Sequence, residues 1–221
     1  MRISASILTG GKASRLCGIV KGLLSGIGDV PLIERLINEL AIAGVHEVIL
    51  SANDPQHYAR FGKPLVADLH TGVGPLGGIE ASLDYLAKCC ESVVFLPCDL
   101  PNISAIEIIS LIQAHQSMPD RIVLAGTAEG EHPLCAVVPV GELPAVSSAI
   151  RAGHYGVVRL WHELAAITVC VENSATLLNI NTPDDLHRWR QAGGAIFGSR
   201  ELVSQPFERP RNIDSRKICH D

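Results

Sequence analysis

The chain has 221 residues, 47% of them hydrophobic, 19% charged and 4% aromatic, with a formal net charge of −5. Such apolar content with so few charges excludes a disordered chain, and the lack of any basic block excludes an ordinary nucleic-acid binder. No apolar run approaches the ~18 residues of a membrane helix, and the first apolar stretch is too short for a signal peptide, so a cytoplasmic protein is expected.

Short apolar runs alternate with segments of helical period. Residues 3–8 read as a strand that runs into a glycine turn. Residues 31–43 read as a helix: Leu32, Leu36 and Leu40 stand four apart, Pro31 suits the first position and Gly44 the stop. Residues 45–51 form the next expected strand, 77–87 a helix and 92–96 a strand of nearly continuous apolar character. Residues 104–115 are expected helical, with Ser104 and Glu107 spaced as a capping box. Strands follow at 121–126 and 134–140, helices at 142–152 and 157–164, and a strand at 166–171. Thr182-Pro183-Asp184-Asp185 caps a last helix to about residue 191.

Strands alternating with helices imply an α/β three-layer sandwich, a mostly parallel sheet with helices on both faces. A single domain is expected over residues 1–194. Residues 195–221 mix Arg, Glu, Ser and Pro without periodicity and read as a flexible tail. The seven cysteines (Cys17, Cys89, Cys90, Cys98, Cys135, Cys170 and Cys219) include no C-x-x-C pair. Mostly set in apolar segments, they read as reduced core thiols with no assigned chemistry.

In an open parallel sheet, ligands bind beyond the carboxyl ends of the strands. The first strand ends in Leu8-Thr9-Gly10-Gly11-Lys12-Ala13-Ser14-Arg15, and Lys21 follows. Paired glycines let a backbone approach a phosphate, and Arg15 and Lys21 supply charge for a polyphosphate. Neither a Walker A loop nor the dinucleotide fingerprint is present. A plain strand-end turn with two solvated cations is the alternative.

This loop, continued by Lys21-Gly22-Leu23-Leu24, resembles the signature loop of the molybdenum cofactor guanylyltransferases, L-x-G-G-x-S-x-R-M-G-x-D-K-x-L-L. Further matches follow in order: Gly74-Pro75-Leu76-Gly77-Gly78-Ile79 with the family's G-P-L-x-G-I, Leu96-Pro97-Cys98-Asp99-Leu100-Pro101 with its P-C-D-M-P, and Asn179-Ile180-Asn181-Thr182-Pro183-Asp184-Asp185-Leu186 with its N-x-N-T-P-E-D-L. The resemblance spans residues 3 to about 190 and implies a Rossmann-like nucleotidyltransferase fold.

It also implies the chemistry: GMP passes from GTP to the terminal phosphate of molybdopterin, and pyrophosphate leaves. The acceptor is a phosphate monoester, largely dianionic at pH 7 because its second pKa is about 6, so no general base is needed. Positioning, charge neutralisation and a metal are needed instead. On the resemblance, Arg15, Lys21 and Asp99 are catalytic and Asp99 holds Mg²⁺. Leu8, Thr9, Gly10, Gly11 and Lys21 bind the nucleotide. Asp68, and with less support Asn53, accept from guanine or ribose. Gly77 and Gly78 bring a helix start to the ligand, while Asn179 and Asn181 lie near the pterin or the phosphates. His132 stands at a family position for a pterin contact. The implied partners are GTP and molybdopterin, with molybdoenzymes or their chaperones receiving the product, and neither nucleic acid nor membrane.

The chain departs from the family pattern at three loop positions: Leu16 for the usual Met, Cys17 for Gly, and Val20 for the Asp before the loop lysine. If that Asp orients the lysine, Val20 predicts a slower enzyme. The rival readings are a cytidylyltransferase acting on the same cofactor, whose loop tends to read L-A-A-G, a sugar-nucleotide or isoprenoid-precursor pyrophosphorylase of the same fold, and a non-catalytic nucleotide- or pterin-binding homologue. Gly11 favours guanine over the first, since a methyl there crowds the larger base.

Overall fold

A computed structural model describes residues 1–10, 15–16, 19–25 and 30–191, and for Arg15, Leu16 and Ile19 the backbone alone. Gly11, the boundary expected at residue 194 and the expected tail at 195–221 lie outside the described residues.

The strands are β1 (Ile3–Leu8), β2 (Arg15–Leu16), β3 (Ile19–Val20), β4 (Val48–Ser51), β5 (Leu65–Val66), β6 (Ser92–Pro97), β7 (Val123–Thr127), β8 (Gly130–Pro139) and β9 (Ile167–Cys170). The helices are α1 (Leu32–Ile42), α2 (Pro75–Leu86), α3 (Ala105–Ser117), α4 (Leu143–Arg151), α5 (Val157–Glu163) and α6 (Pro183–Gln191). Seven strands form one sheet in the order β5-β4-β1-β6-β8-β7-β9, while β2 and β3 pair as a separate ribbon. β8 runs antiparallel to both its neighbours, and the other pairings in the large sheet are parallel.

Side chains alternate across each strand, which splits the core into two layers. Ala5, Ile7, Val94, Leu96, Val123 and Val137 face α1 and α3, where Ile33, Leu36, Leu40, Ile108 and Leu111 meet them. Ile49, Val93, Phe95, Leu124 and Val138 face α2, α4 and α5, against Leu76, Ile79, Leu83, Ile150 and Trp161. The expected three-layer sandwich is therefore present. Ser104 caps α3, and the Ser104–Glu107 capping box is formed.

The strand expected from residue 45 begins only at Val48, because Val45 N still bonds Leu40 O at the end of α1, and three further expectations change. The helix expected from residue 77 begins at Pro75, because Gly74 takes a positive φ of 69° and turns the chain into the first helical turn. The strand expected from residue 134 begins at Gly130 and forms a hairpin with β7, and its first residues are exposed and polar, so they read as loop. Of the described cysteines, Cys90, Cys98 and Cys135 are buried as expected, whereas Cys89 and Cys170 are exposed.

The chain leaves β1 through α1 to reach β4 on one side, and later passes through α2 to reach β6 on the other side of β1. The connections diverge at β1, so a crevice opens at its carboxyl end.

Candidate active site

A cavity of about 750 Å³ fills that crevice. It is lined from β1 by Leu8, Thr9 and Gly10, from the end of β4 by Ser51 and Asn53, and from the end of β6 by Pro97, Cys98 and Asp99. The amino end of α2 contributes Gly74, Pro75 and Gly78. Lys21 and Val20 enter beside β1, with Asn179 and Asn181 from the segment before α6.

Strand pairing persists just past β1. Thr9 N and Thr9 Oγ1 both donate to Ser51 O, at 3.0 and 2.7 Å. Cys98 N donates to Leu8 O at 3.0 Å. Beyond Thr9 the chain is released at Gly10. Among the described residues, a Cβ added at Gly10 would meet nothing closer than Asn53 Nδ2 at 3.8 Å, so their packing does not demand glycine there.

Packing does demand it at Gly78. An added Cβ would stand 2.5 Å from Ser51 Oγ and 3.2 Å from Leu8 Cδ2. At Gly77 it would stand 3.0 Å from His70 O and 3.1 Å from Asp68 Cγ. These glycines bring α2 close against the sheet and against Asp68; Gly77 itself is buried behind the cavity wall. Asp68 is held by Asn53: Asn53 Nδ2 donates to Asp68 Oδ2 at 2.8 Å, and Asp68 N donates back to Asn53 Oδ1 at 2.9 Å.

The charged centre is Lys21. Its Nζ donates to Asp99 Oδ2 at 2.9 Å and to Asn181 Oδ1 at 2.7 Å, and its side chain is only 5% exposed. An ammonium this buried needs such partners, because an isolated charge there would be strongly disfavoured. The backbone is tied at the same point, where Ile180 N donates to Asp99 O at 3.0 Å. Val20 is buried in the core layer under α1 and also lines the cavity.

Two neutral groups border this ion pair. Burial, and then the Asp99 charge, push the Cys98 thiol up to about 12, so it is no thiolate at neutral pH. Burial likewise pushes the Tyr58 phenol up, only partly offset by the nearby Thr9 hydroxyl.

The cavity thus gathers Leu8, Thr9, Gly10, Lys21, Asn53, Asp68, Gly78, Asp99, Asn179 and Asn181, all singled out from the sequence. Arg15 sits in β2 opposite Val20, but its side chain lies outside the described residues. His132 lies within β8 opposite Ala125 and is not among the residues that line the cavity. Sequence reasoning missed Tyr58, Leu134 and Tyr155. Tyr155 had a faint signal as an aromatic residue between Gly153 and Gly156, in a turn that buries little.

Among the described residues, no group of three or more His, Cys, Asp or Glu side chains is arranged to hold a metal. A single carboxylate, Asp99, in this cavity still fits Mg²⁺, which takes one or two carboxylates and completes its shell with phosphate and water. Among the described residues no helix is long and apolar enough to cross a membrane.

Residues 5–167 match the family described as the MobA-like NTP transferase domain. The chain is 32% identical over 195 residues to a molybdenum cofactor guanylyltransferase of Serratia proteamaculans (strain 568), covering 87% of this chain and 96% of that one. Its fold is similar to the crystal structure of molybdopterin-guanine dinucleotide biosynthesis protein A from Archaeoglobus fulgidus, with a TM-score of 0.71, 22% identity, and coverage of 86% and 98% of the two chains. It is also similar to a Mycobacterium tuberculosis protein solved in complex with manganese, with a TM-score of 0.63, 15% identity, and coverage of 87% and 100%.

Proposed function

The chain belongs to the MobA-like NTP transferase domain family, and from that premise we propose that it acts as a molybdenum cofactor guanylyltransferase, moving GMP from GTP to the terminal phosphate of molybdopterin. The observation that carries this is the convergence of Lys21, Asp99 and Asn181 at the carboxyl ends of β1 and β6, in a cavity large enough for a nucleotide and an acceptor.

In the reaction an acceptor phosphate oxygen bonds to the α-phosphorus of GTP, and the bond from that phosphorus to the β-phosphate bridging oxygen breaks. The electron pair leaves with pyrophosphate. No proton has to be removed from a dianionic monoester, which agrees with a site whose Cys98 and Tyr58 stay neutral. The catalytic demand is to hold charge and geometry.

Thr9 and Gly10 offer a backbone path along the phosphates. Among the described residues Lys21 uses two of its three donors, on Asp99 and Asn181, which leaves one N–H for a phosphate oxygen. Asp68, fixed by Asn53, presents a carboxylate to the N–H groups of guanine or to a ribose hydroxyl. Gly78 keeps the start of α2 close, so the positive end of its dipole faces the anion. Asn179 and Tyr155 border the part of the cavity left for the acceptor.

Asp99 is the residue that would hold Mg²⁺. A divalent cation there supplies neutralisation of the triphosphate charge. We place the protein in the cytoplasm, with molybdoenzymes or their chaperones as recipients of the product.

The test is direct. Incubation with GTP, Mg²⁺ and molybdopterin should yield the guanine dinucleotide form of the cofactor and pyrophosphate. Product from CTP at an equal rate would favour the cytidylyl alternative, and nucleotide binding without product would favour a non-catalytic homologue.

A further inference from the structure

We propose that Asp185, which lies outside the cavity, is a positioning residue for Lys21 and acts on it through Asn181. The importance of Lys21 rests on the guanylyl-transfer function, but the linkage itself does not.

The linkage begins at the helix start. Thr182 N donates to Asp185 Oδ2 at 2.8 Å and Asp185 N donates to Thr182 Oγ1 at 3.1 Å, a reciprocal cap. Asp185 Oδ2 also accepts from Asn181 N at 3.1 Å. That third bond lies ahead of the helix and contributes nothing to the helical ladder. Arg188 Nη2 holds the other oxygen, Oδ1, at 2.8 Å, which fixes the plane of the carboxylate.

From the other side, Ile180 is fully buried against Leu24 and Leu32, and its amide is bonded to Asp99 O. Successive side chains in an extended segment point to opposite sides. With Ile180 turned into its small core, Asn179 and Asn181 turn into the cavity. The backbone at residue 181 is therefore pinned on both sides, by Asp185 and by Ile180, and its carboxamide oxygen comes to 2.7 Å from Lys21 Nζ.

Asn181 is one of two acceptors that Lys21 has among the described residues. Release of the amide of Asn181 frees the carboxamide to rotate, and the ammonium is then held by Asp99 alone. Asp184 stands in the same helical turn with the same charge, but it makes no bond to residue 181. A role of Asp185 limited to the helix dipole would be shared by Asp184, whereas a positioning role would not; loss of the Thr182–Asp185 cap, which Asp184 does not make, is read separately as faster amide exchange in α6.

The experiment reads Lys21 directly. The full chain is treated with N-hydroxysuccinimidyl acetate, and acetylation of Lys21 is followed by peptide mass spectrometry without GTP or acceptor. Its failure is thus distinguishable from a failure of the guanylyl-transfer function. Asp185→Ala is expected to raise the acetylation rate by about tenfold, as loss of one charge-assisted hydrogen bond implies, and to match Asn181→Ala. Asp185→Glu, which can rebuild the cap, should return it toward the unmodified rate, and Asp184→Ala should leave it unchanged. An unmodified rate in Asp185→Ala, even with faster amide exchange in α6, overturns the proposal, and so does an equal rise in Asp184→Ala. If Asp185→Ala does not fold, Asp185→Asn is measured instead: an intermediate rate supports the linkage and an unmodified rate overturns it.

Discussion

Lys21 and Asp99 neutralise each other at 2.9 Å, with side chains 5% and 14% exposed. The carboxylate proposed to hold the metal is therefore also the counter-ion of the buried ammonium. Asp99→Ala should abolish guanylyl transfer. It should also lower stability by about 2–4 kcal/mol, because it strands a buried charge. Lys21→Met added to Asp99→Ala should restore much of the melting temperature and none of the turnover. An Asp99→Ala variant with native melting temperature and near-native turnover would overturn both roles.

Gly10 and Gly78 should respond in opposite ways. Gly78→Ala places a methyl group 2.5 Å from Ser51 Oγ and should lose about 1–3 kcal/mol in a urea titration. Gly10→Ala has room among the described residues and should fold with near-native stability. Its methyl enters the cavity, so GTP binding measured by calorimetry should weaken. If Gly10→Ala binds GTP as tightly as the unmodified chain, the nucleotide does not pass there.

Val20→Asp is expected to leave turnover within about twofold and to lower the unfolding midpoint, since it buries a new carboxylate in an apolar layer. The sequence argument that valine slows the enzyme assumed that Lys21 needs a neighbouring carboxylate to orient it. Asp99 and Asn181 already do this. A tenfold rise in turnover in Val20→Asp would reinstate the sequence argument.

The fully buried His115 gives a pH dependence. Its Nε2 is 2.7 Å from Ser92 Oγ and its Nδ1 is 2.9 Å from Arg121 O, and burial lowers its pKa below the ordinary value. The native state resists a proton that the unfolded chain accepts. Stability should therefore be fully present above the unfolded value of about 6.5 and decline as pH falls below it, by at most about 1.4 kcal/mol per pH unit for one proton. His132, also lowered by burial, adds to the same window. Urea midpoints between pH 7.5 and 5 measure the slope. His115→Gln should reduce it, and an unchanged slope would remove His115 from the account.

What could be read from the sequence followed local rules. The four-residue spacing of Leu32, Leu36 and Leu40, the Ser104 cap and the apolar run of β6 each report a neighbourhood a few residues wide. β5, with two residues, and the polar start of β8 carry no such pattern and form by pairing with strands already in place. The same division holds in the site. Asp99 and Lys21 stood out singly, from motif and position. Their mutual contact, and that of Lys21 with Asn181 across 160 positions, is a product of topology that no local spacing encodes. Tyr58 enters the cavity through short 3-10 turns, whose sequence resembles any polar loop.

The strap of residues 179–182 also sets a timetable. Chains leave the ribosome amino end first, at about 5–20 residues per second, and begin to fold as they emerge. The glycine-loop end of β1, the β6 carboxylate and the whole seven-stranded sheet are complete by Cys170. Lys21 gains its second acceptor, and the small core of Leu24 and Leu32 gains its lid, only when residues 180 and 181 arrive. A nascent or prematurely terminated chain that stops between these points would carry a folded sheet with an unfinished centre.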